Sequence, residues 1–368
     1  MKWLVLGLNY FRHEMREAGD EWIEEPCRSY EGGLRYLPAL LDEIKREKGF
    51  VPDAIVFGDY SNAPGFYGLE QAPCPTAFVC IDPHCHYDWF SVWSNAWDVV
   101  LVAEVDYIPN MRTMAPKSFI EPYPLWGRND PPPEYVRTIP IAFVGTRNPQ
   151  TTPDREAMFQ AIEKRLPLQV LQGDWREPYA RAKIVINQTL QNDLNFRHFE
   201  AMSSGAMLIT EKIDNGLLDF FQDGVHLVTY GYRNWDELVE KAEYYLTHDE
   251  ERKRIAKAGM EITITKHSPR VRYRDLCAMV QADVVVARSK QRQQEFVEVR
   301  RAESEAFQIL AKRFVSEKAR DFFHAYSYRA RLQDEAFSPE IIAEVMKSVP
   351  DKAVAKFVLQ KLSTDLQP

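Results

Sequence analysis

No pair of cysteines stands at CxxC spacing: Cys27, Cys74, Cys80, Cys85 and Cys277 are odd in number and scattered along the chain. That argues against a zinc ribbon or a disulfide framework and favours reduced thiols, hence a cytoplasmic setting. Long apolar runs are also missing. The first, in KWLVLGL, gives way to Asn9 and Arg12, too short for a bilayer span or the apolar region of a signal peptide, so it is expected to be a buried strand and no membrane span is expected. There is no excess of positive charge either. Lys and Arg number 46 against 54 Asp and Glu, a net charge of −8, which argues against a partner held by neutralising nucleic-acid phosphates. Internal repeats at solenoid periods are absent as well.

What is present is a large apolar content, 45% of 368 residues, enough for two ordinary domains and an extension. Apolar runs of strand length (KWLVLGL, AIVFG, TAFVCI and VVLVAEV) alternate with helix-length segments, which implies parallel crossover connections in an open α/β sheet. Six prolines in residues 122–140, three of them consecutive, suit neither a helix nor a central strand, so the domain boundary is expected there. The alternation then restarts with IAFVGT, DREAMFQAIEKRL, LQVLQG, EPYARA and KIVINQT. From about Tyr273 the sequence reads as charged, amphipathic helix. The expected organisation is therefore a Rossmann-like domain over residues 1–130, a second over 138–275, and a helical extension over 276–368.

The stretch NFRHFEAMSSGAMLIT is the most informative. Asp193 or Asn195 is placed to cap a helix whose first N–H groups lack internal partners and face an anion, and Gly205 is placed to end it. In an α/β sheet, ligands bind outside the carboxyl ends of the strands, where KIVINQT delivers the chain to this helix. A diphosphate at the helix start and the Glu200 carboxylate on a ribose diol fit that geometry. The plainer alternative is a surface ion pair between Arg197 and Glu200, contributing about 0.2–0.5 kcal/mol.

The segments FVGTRNPQTTPDREAMFQAIEK, YARAKIVINQTLQNDLNFRHFEAMSSGAMLITEKIDNGLLDFFQDGVHLVTY and ELVEKAEYYLTHDEERKRIAKAGMEITITKHSPRVR resemble, in order and spacing, the C-terminal half of the CgeB-like (spore maturation protein) glycosyltransferases, over residues 139–276. The resemblance implies the GT-B class: two Rossmann-like, doubly wound domains facing a cleft, with a nucleotide-sugar donor as substrate, no resident cofactor and a hydroxyl-bearing acceptor. Wider GT-B relatives carry a Glu-x7-Glu motif whose second Glu binds the ribose. Glu200 matches that second position, and Asn192 replaces the first Glu. The resemblance also places the diphosphate near the backbone of Asn195 and Phe196, with Arg197 adding charge, and matches Arg155 to a frequent arginine.

Further candidates follow strands. Gly145, Thr146 and Arg147 end the first strand of the second half, and Asn187 and Gln188 end another. Each set suits a phosphate or base contact, and each is equally an ordinary turn. IDPHCHYDW places Asp82, His84, Cys85 and His86 directly after a strand. No second His/Cys pair stands at ligand spacing, so no metal is expected. Asp82 or His84 is a candidate catalytic base, the alternative being a capping aspartate with packed histidines. Gly32 and Gly33 allow a close backbone approach to a ligand, and His267 with Ser268 reads as a turn leaving the second domain. The C-terminal helices read as core or homo-oligomer packing elements. A nucleotide-sugar epimerase or hydrolase on the same fold, or a non-catalytic nucleotide-binding scaffold, are the alternatives to transfer.

Overall fold

A computed structural model describes residues 1–25, 33–313, 316–334 and 338–365; Cys27 and Gly32 lie outside the described residues. The chain divides into two compact units, one of residues 1–103, 107–122 and 276–368, the other of residues 104–106 and 123–275. The second unit's main body thus begins inside the expected proline-rich boundary. The residues expected as a helical extension are instead part of the first unit.

In the first unit β1 (Lys2–Gly7), β2 (Glu21–Glu25), β3 (Ala54–Gly58), β4 (Thr76–Cys80), β5 (Val99–Val102) and β6 (Phe119–Pro122) form a sheet of order β2-β1-β3-β4-β5-β6, parallel throughout. The central strands are buried along their whole length, as expected when crossover segments cover both faces of a parallel sheet. Helix α1 (Leu37–Lys48) opens with Pro38 in its first turn and closes on Gly49 at φ +61°. Helix α2 (Pro83–Trp93) starts immediately after Asp82.

The second unit repeats the plan. Strands β7 (Ile139–Val144), β8 (Leu168–Leu171), β9 (Ala182–Asn187), β10 (Met207–Glu211) and β11 (Val228–Tyr230) are all parallel, in the order β8-β7-β9-β10-β11. In both sheets the first strand lies between the second and the third, so each has a switch point of the doubly wound type at the carboxyl end of its first strand. Helices α3 (Pro153–Glu163), α4 (Arg176–Arg181) and α5 (Phe196–Ser203) follow β7, β8 and β9. Ile141, Phe143, Met158, Ile184, Ile186 and Ile209 form the centre of one buried cluster. Each such side chain contributes roughly 1.5–3 kcal/mol when removed from water.

The tail helices α6 (Asp283–Gln294), α7 (Phe296–Arg313), α8 (Glu317–Tyr326) and α9 (Arg329–Asp334) belong to the first unit, where buried charge pins α6, α7 and α9. Arg292 on α6 pairs with Asp98 at 2.9 Å, both fully buried. Glu303 on α7 accepts the Gly68 and Leu69 N–H groups and pairs with Arg329 at 2.6 Å, while Arg329 also pairs with Glu70. Removing one partner of such a pair leaves an uncompensated buried charge, which makes the docking specific. Among the described residues no helix is long and apolar enough to cross a membrane.

Candidate functional site

The sheet of the second unit brings the ends of β7 and β9 together at their carboxyl edge. From β9 the chain passes through a short loop to α5. Asp193 is not the helix cap: its Oδ1 accepts the N–H groups of Leu190 (2.8 Å) and Gln191 (3.4 Å) and closes the loop. Asn195 is the capping residue, extended at φ −75° and ψ 166°, yet its side chain makes no capping bond. Its Oδ1 accepts from Asn187 Nδ2 at 3.3 Å instead. The first turn of α5 carries no acidic residue; the nearby carboxylate is that of Asp193, two residues before the cap. Gly205, at φ +70°, follows the last turn as expected, and a Cβ there would meet Arg137 Nη2 at 2.6 Å.

Arg197 on α5 turns back over the sheet edge. Its Nη1 donates to Asn187 Oδ1 (2.7 Å), Nη2 to the Val144 carbonyl (3.0 Å) and Nε to the Tyr179 hydroxyl (3.2 Å). The guanidinium lies 4.0 Å from the Phe143 ring centroid. Gly145 permits this: an added Cβ would meet Arg197 Nη2 at 2.8 Å and Phe143 Cε1 at 2.9 Å, and its φ of +153° disfavours other residues. Arg155 on α3 sits beside the same Phe143 ring at 5.2 Å, is buried, and donates to Gln188 Oε1 at 3.3 Å. Burial and the nearby Arg197 push its pKa down to about 10. Among the described residues all the acceptors of these two guanidiniums are uncharged, and neither guanidinium is in ion-pair contact with a carboxylate.

Other arginines at this edge are neutralised. Arg147 curls onto α3, where Glu156 (2.7 Å) and Glu163 (2.6 Å) both pair with it and raise its pKa. Arg233 is paired with Glu211 and Asp154 at 3.2 Å each. The structure therefore brings Gly145, Asn187, Asn195 and Arg197 into one group and leaves the Arg147 side chain outside it. Thr146 is exposed at the end of the β7 turn.

Asn187 is fully buried, so its side chain acts on neighbours in the fold. Besides Asn195 and Arg197 it meets Thr210 Oγ1 at 3.2 Å and His198 Nε2 at 3.1 Å. Burial drives His198 down to about 4, so the imidazole is neutral at physiological pH. Gln188, also buried, is occupied by Arg155 and the Thr189 carbonyl. Asn192, where the wider motif carries its first Glu, adopts φ +60° and bridges to the next loop through Asp214 N (3.4 Å) and Asn215 Nδ2 (3.2 Å). Phe196 sits at the helix start against Trp126, ring centroids 5.2 Å apart.

Among the described residues Glu200 makes no ion-pair contact with Arg197, which donates instead to the Val144 carbonyl, Asn187 and Tyr179. The Glu200 carboxylate is half-buried and accepts no hydrogen bond among the described residues. Burial raises its pKa to about 7 against the opposing pull of Arg197 and Arg176, so Arg197 and Glu200 still act on one another through space. Such a carboxylate is suited to a ligand that brings hydroxyl groups. His267 is buried at 5.4 Å from the Phe199 ring, its Nδ1 2.9 Å from Arg272 Nη2, and burial lowers it to about 3, so it packs the corner with Ser268.

In the first unit, Asp82 and His84 are not in an open loop: Asp82 is the residue before α2, and His84 lies in its first turn. The Asp82 carboxylate accepts from Ser61 Oγ and makes no capping bond to α2. Behind it is Asp59, a residue the sequence pattern did not single out. Its buried carboxylate accepts from Ser61 N (2.8 Å), Ile81 N (3.1 Å) and Asp82 N (2.9 Å), joining the ends of neighbouring strands β3 and β4. Burial and the adjacent Asp82 raise it to about 7. FGD and CID share a strand-then-Asp pattern that was the available signal. Among the described residues no group of three or more His, Cys, Asp or Glu is arranged to hold a metal ion. Gly33 meets Phe357 and Tyr326 of the tail and is not near either strand edge group in its contacts.

Residues 149–278 match a family described as glycosyl transferase-like. No curated protein matches the chain. Among solved structures, sucrose-phosphate synthase from Thermosynechococcus elongatus aligns with TM-score 0.52 and 11% identity, over 76% of this chain and 100% of that one. HepE of Anabaena, in complex with UDP-glucose, aligns with TM-score 0.50 and 11% identity, over 76% of this chain and 99% of HepE. TarM aligns with TM-score 0.47 and 12% identity over 65% of this chain, which spans only 57% of TarM. With two parallel sheets of the same strand order and helices returning to the first unit, the chain has the GT-B glycosyltransferase fold, and its residues 149–278 carry a glycosyl transferase-like segment.

Proposed function

We propose that the protein is a CgeB-like, cytoplasmic glycosyltransferase that moves a sugar from a nucleoside-diphosphate-sugar to a hydroxyl-bearing acceptor without a bound metal. The observation that carries this reading is the pair Arg155 and Arg197, two guanidiniums against one Phe143 ring with only uncharged acceptors. They stand where β7 and β9 end and α5 begins, the edge at which such sheets bind ligands. Two uncompensated cations and a helix start suit a diphosphate. Glu200 accepts hydrogen bonds from the ribose hydroxyls, and the Gly145–Thr146 turn with the backbone at Asn195 and Phe196 borders the phosphates.

In the reaction, the acceptor oxygen forms a bond to the anomeric carbon while the bond from that carbon to the diphosphate oxygen breaks. The electron pair leaves with the diphosphate, where the arginines stabilise it. Asp82 or His84 takes the acceptor proton. UDP in the HepE complex makes it the natural first probe. Titration calorimetry of UDP, GDP, ADP, CDP and dTDP, with and without a chelator, tests the reading. Binding of at least one in both conditions is expected. Binding of none overturns the nucleotide site, and binding lost with chelator overturns the metal-free scheme. Release of the nucleoside diphosphate that depends on added acceptor distinguishes transfer from epimerisation or hydrolysis.

A further inference from the structure

We infer that Asn187 and Tyr179 are positioning residues whose uncharged side chains seat Arg197 without an ion-pair partner among the described residues, leaving its charge available to a dianionic diphosphate. The inference rests on the donor site proposed above.

Arg197 has three protein acceptors, and none carries charge: an amide oxygen, a phenol and a backbone carbonyl. The contrast is within the same unit, where Arg147 and Arg233 each hold two carboxylates. Asn187 is locked in the orientation that offers oxygen to Arg197. Its Nδ2 faces Asn195 Oδ1 (3.3 Å), Thr210 Oγ1 (3.2 Å) and His198 Nε2 (3.1 Å), so a flipped amide would set its NH2 group against the guanidinium. Tyr179, also fully buried, is fixed by the Val144 N–H, which donates to its hydroxyl at 3.2 Å. The Phe143 ring and the missing side chain at Gly145 complete the seat. Every polar contact thus orients the guanidinium and leaves its charge in place. An aspartate would fit the space at 187 and bind Arg197 more strongly, but it would cancel the charge an anionic ligand needs. Asn at this position is therefore a choice of ligand.

The test compares the parent with Asn187→Asp and Tyr179→Phe, using the five nucleoside diphosphates and, as uncharged controls, their nucleosides, by titration calorimetry, with thermal unfolding alongside. For Asn187→Asp the diphosphate affinity is expected to fall roughly tenfold or more, with nucleoside binding retained and Tm near the parent's, the new ion pair to Arg197 offsetting the lost Nδ2 donation to Asn195. Tyr179→Phe keeps the charge and loses one orienting bond, so a smaller loss of about three- to tenfold is expected. If Asn187→Asp binds the diphosphate as the parent does, the inference fails while the donor site stands. If it loses nucleoside and diphosphate binding together with a lowered Tm, Asn187 is only a packing residue and the inference also fails. A parent that binds none of the five overturns the donor site and this inference with it.

Discussion

Replacing Glu200 with Gln separates a ligand-binding acid from a structural one, because the two roles move stability and affinity in opposite directions. Glu200 rises to about 7 in the folded chain through burial, against about 4.3 for an unperturbed Glu. At about 1.4 kcal/mol per pKa unit the gap corresponds to roughly 4 kcal/mol, to be discounted to about 1–3 kcal/mol because the side chain is not wholly buried. In the parent the cost is absent below about pH 4, where both states are protonated. It grows as the unfolded chain ionises while the folded carboxyl holds its proton, and is complete above about pH 7. Glu200→Gln removes the titration. Urea unfolding should therefore show the variant more stable than the parent at pH 8 by about 1–3 kcal/mol, with little difference near pH 4.5. Donor binding should change the other way: at pH 8 the variant should lose about 1.5–3 kcal/mol of nucleoside-diphosphate affinity, the range for bonds to a charged acceptor. The parent's affinity should also weaken as pH falls through 7. A 2′,3′-dideoxy nucleoside diphosphate should bind the parent weakly and lose little more in the variant, since the two changes remove the same contact. A variant no more stable than the parent at pH 8, or additive losses from the dideoxy ligand and the substitution, would refute the reasoning.

Arg155→Met removes a buried cation with a single weak hydrogen bond, so diphosphate affinity should fall by about 1.5–3 kcal/mol while thermal stability holds or rises; calorimetry and a melting curve check both. Gly145→Ala forces a Cβ within 2.8 Å of Arg197 Nη2 at a backbone angle that disfavours side chains, and a destabilisation of about 1–3 kcal/mol is expected in urea, with weaker diphosphate binding. Arg292→Met strands the buried Asp98 carboxylate and should cost about 3–5 kcal/mol, read from the fluorescence of Trp89, Trp93 and Trp97 in the first-unit core.

The parts of the fold legible in sequence are those whose residues face the same environment along their whole length. Strands β1, β3, β4, β5, β7, β8, β9 and β10 read as apolar runs because a parallel sheet covered on both faces excludes polar residues, whereas the three-residue β11 was too short to read. The two outer strands of the first sheet escaped that pattern. In β2 three of five residues are glutamate, and β6 is four residues ending at Pro122, both features suited to a sheet edge and neither distinguishable from loop without the neighbouring strand. Helix α2 was similarly obscured: Asp82-Pro83 is a helix-start signal, but no apolar period follows until Trp89.

At the candidate site the sequence by itself determined the helix that carries Arg197 and Glu200 and its end at Gly205, since glycine's backbone freedom is local, but it left the start undecided between Asp193 and Asn195. It also determined the α/β alternation, because burial periodicity is written along the chain. Only the tertiary structure decided which charges remain available. Arg147 is neutralised by glutamates 9 and 16 residues away, Arg155 and Arg197 converge on one phenyl ring from separate helices, and Glu200 is left without its neighbour on the same helix. Electrostatic pairing depends on distance through space, and residues far apart in sequence become neighbours only when the strands that carry them close into a sheet.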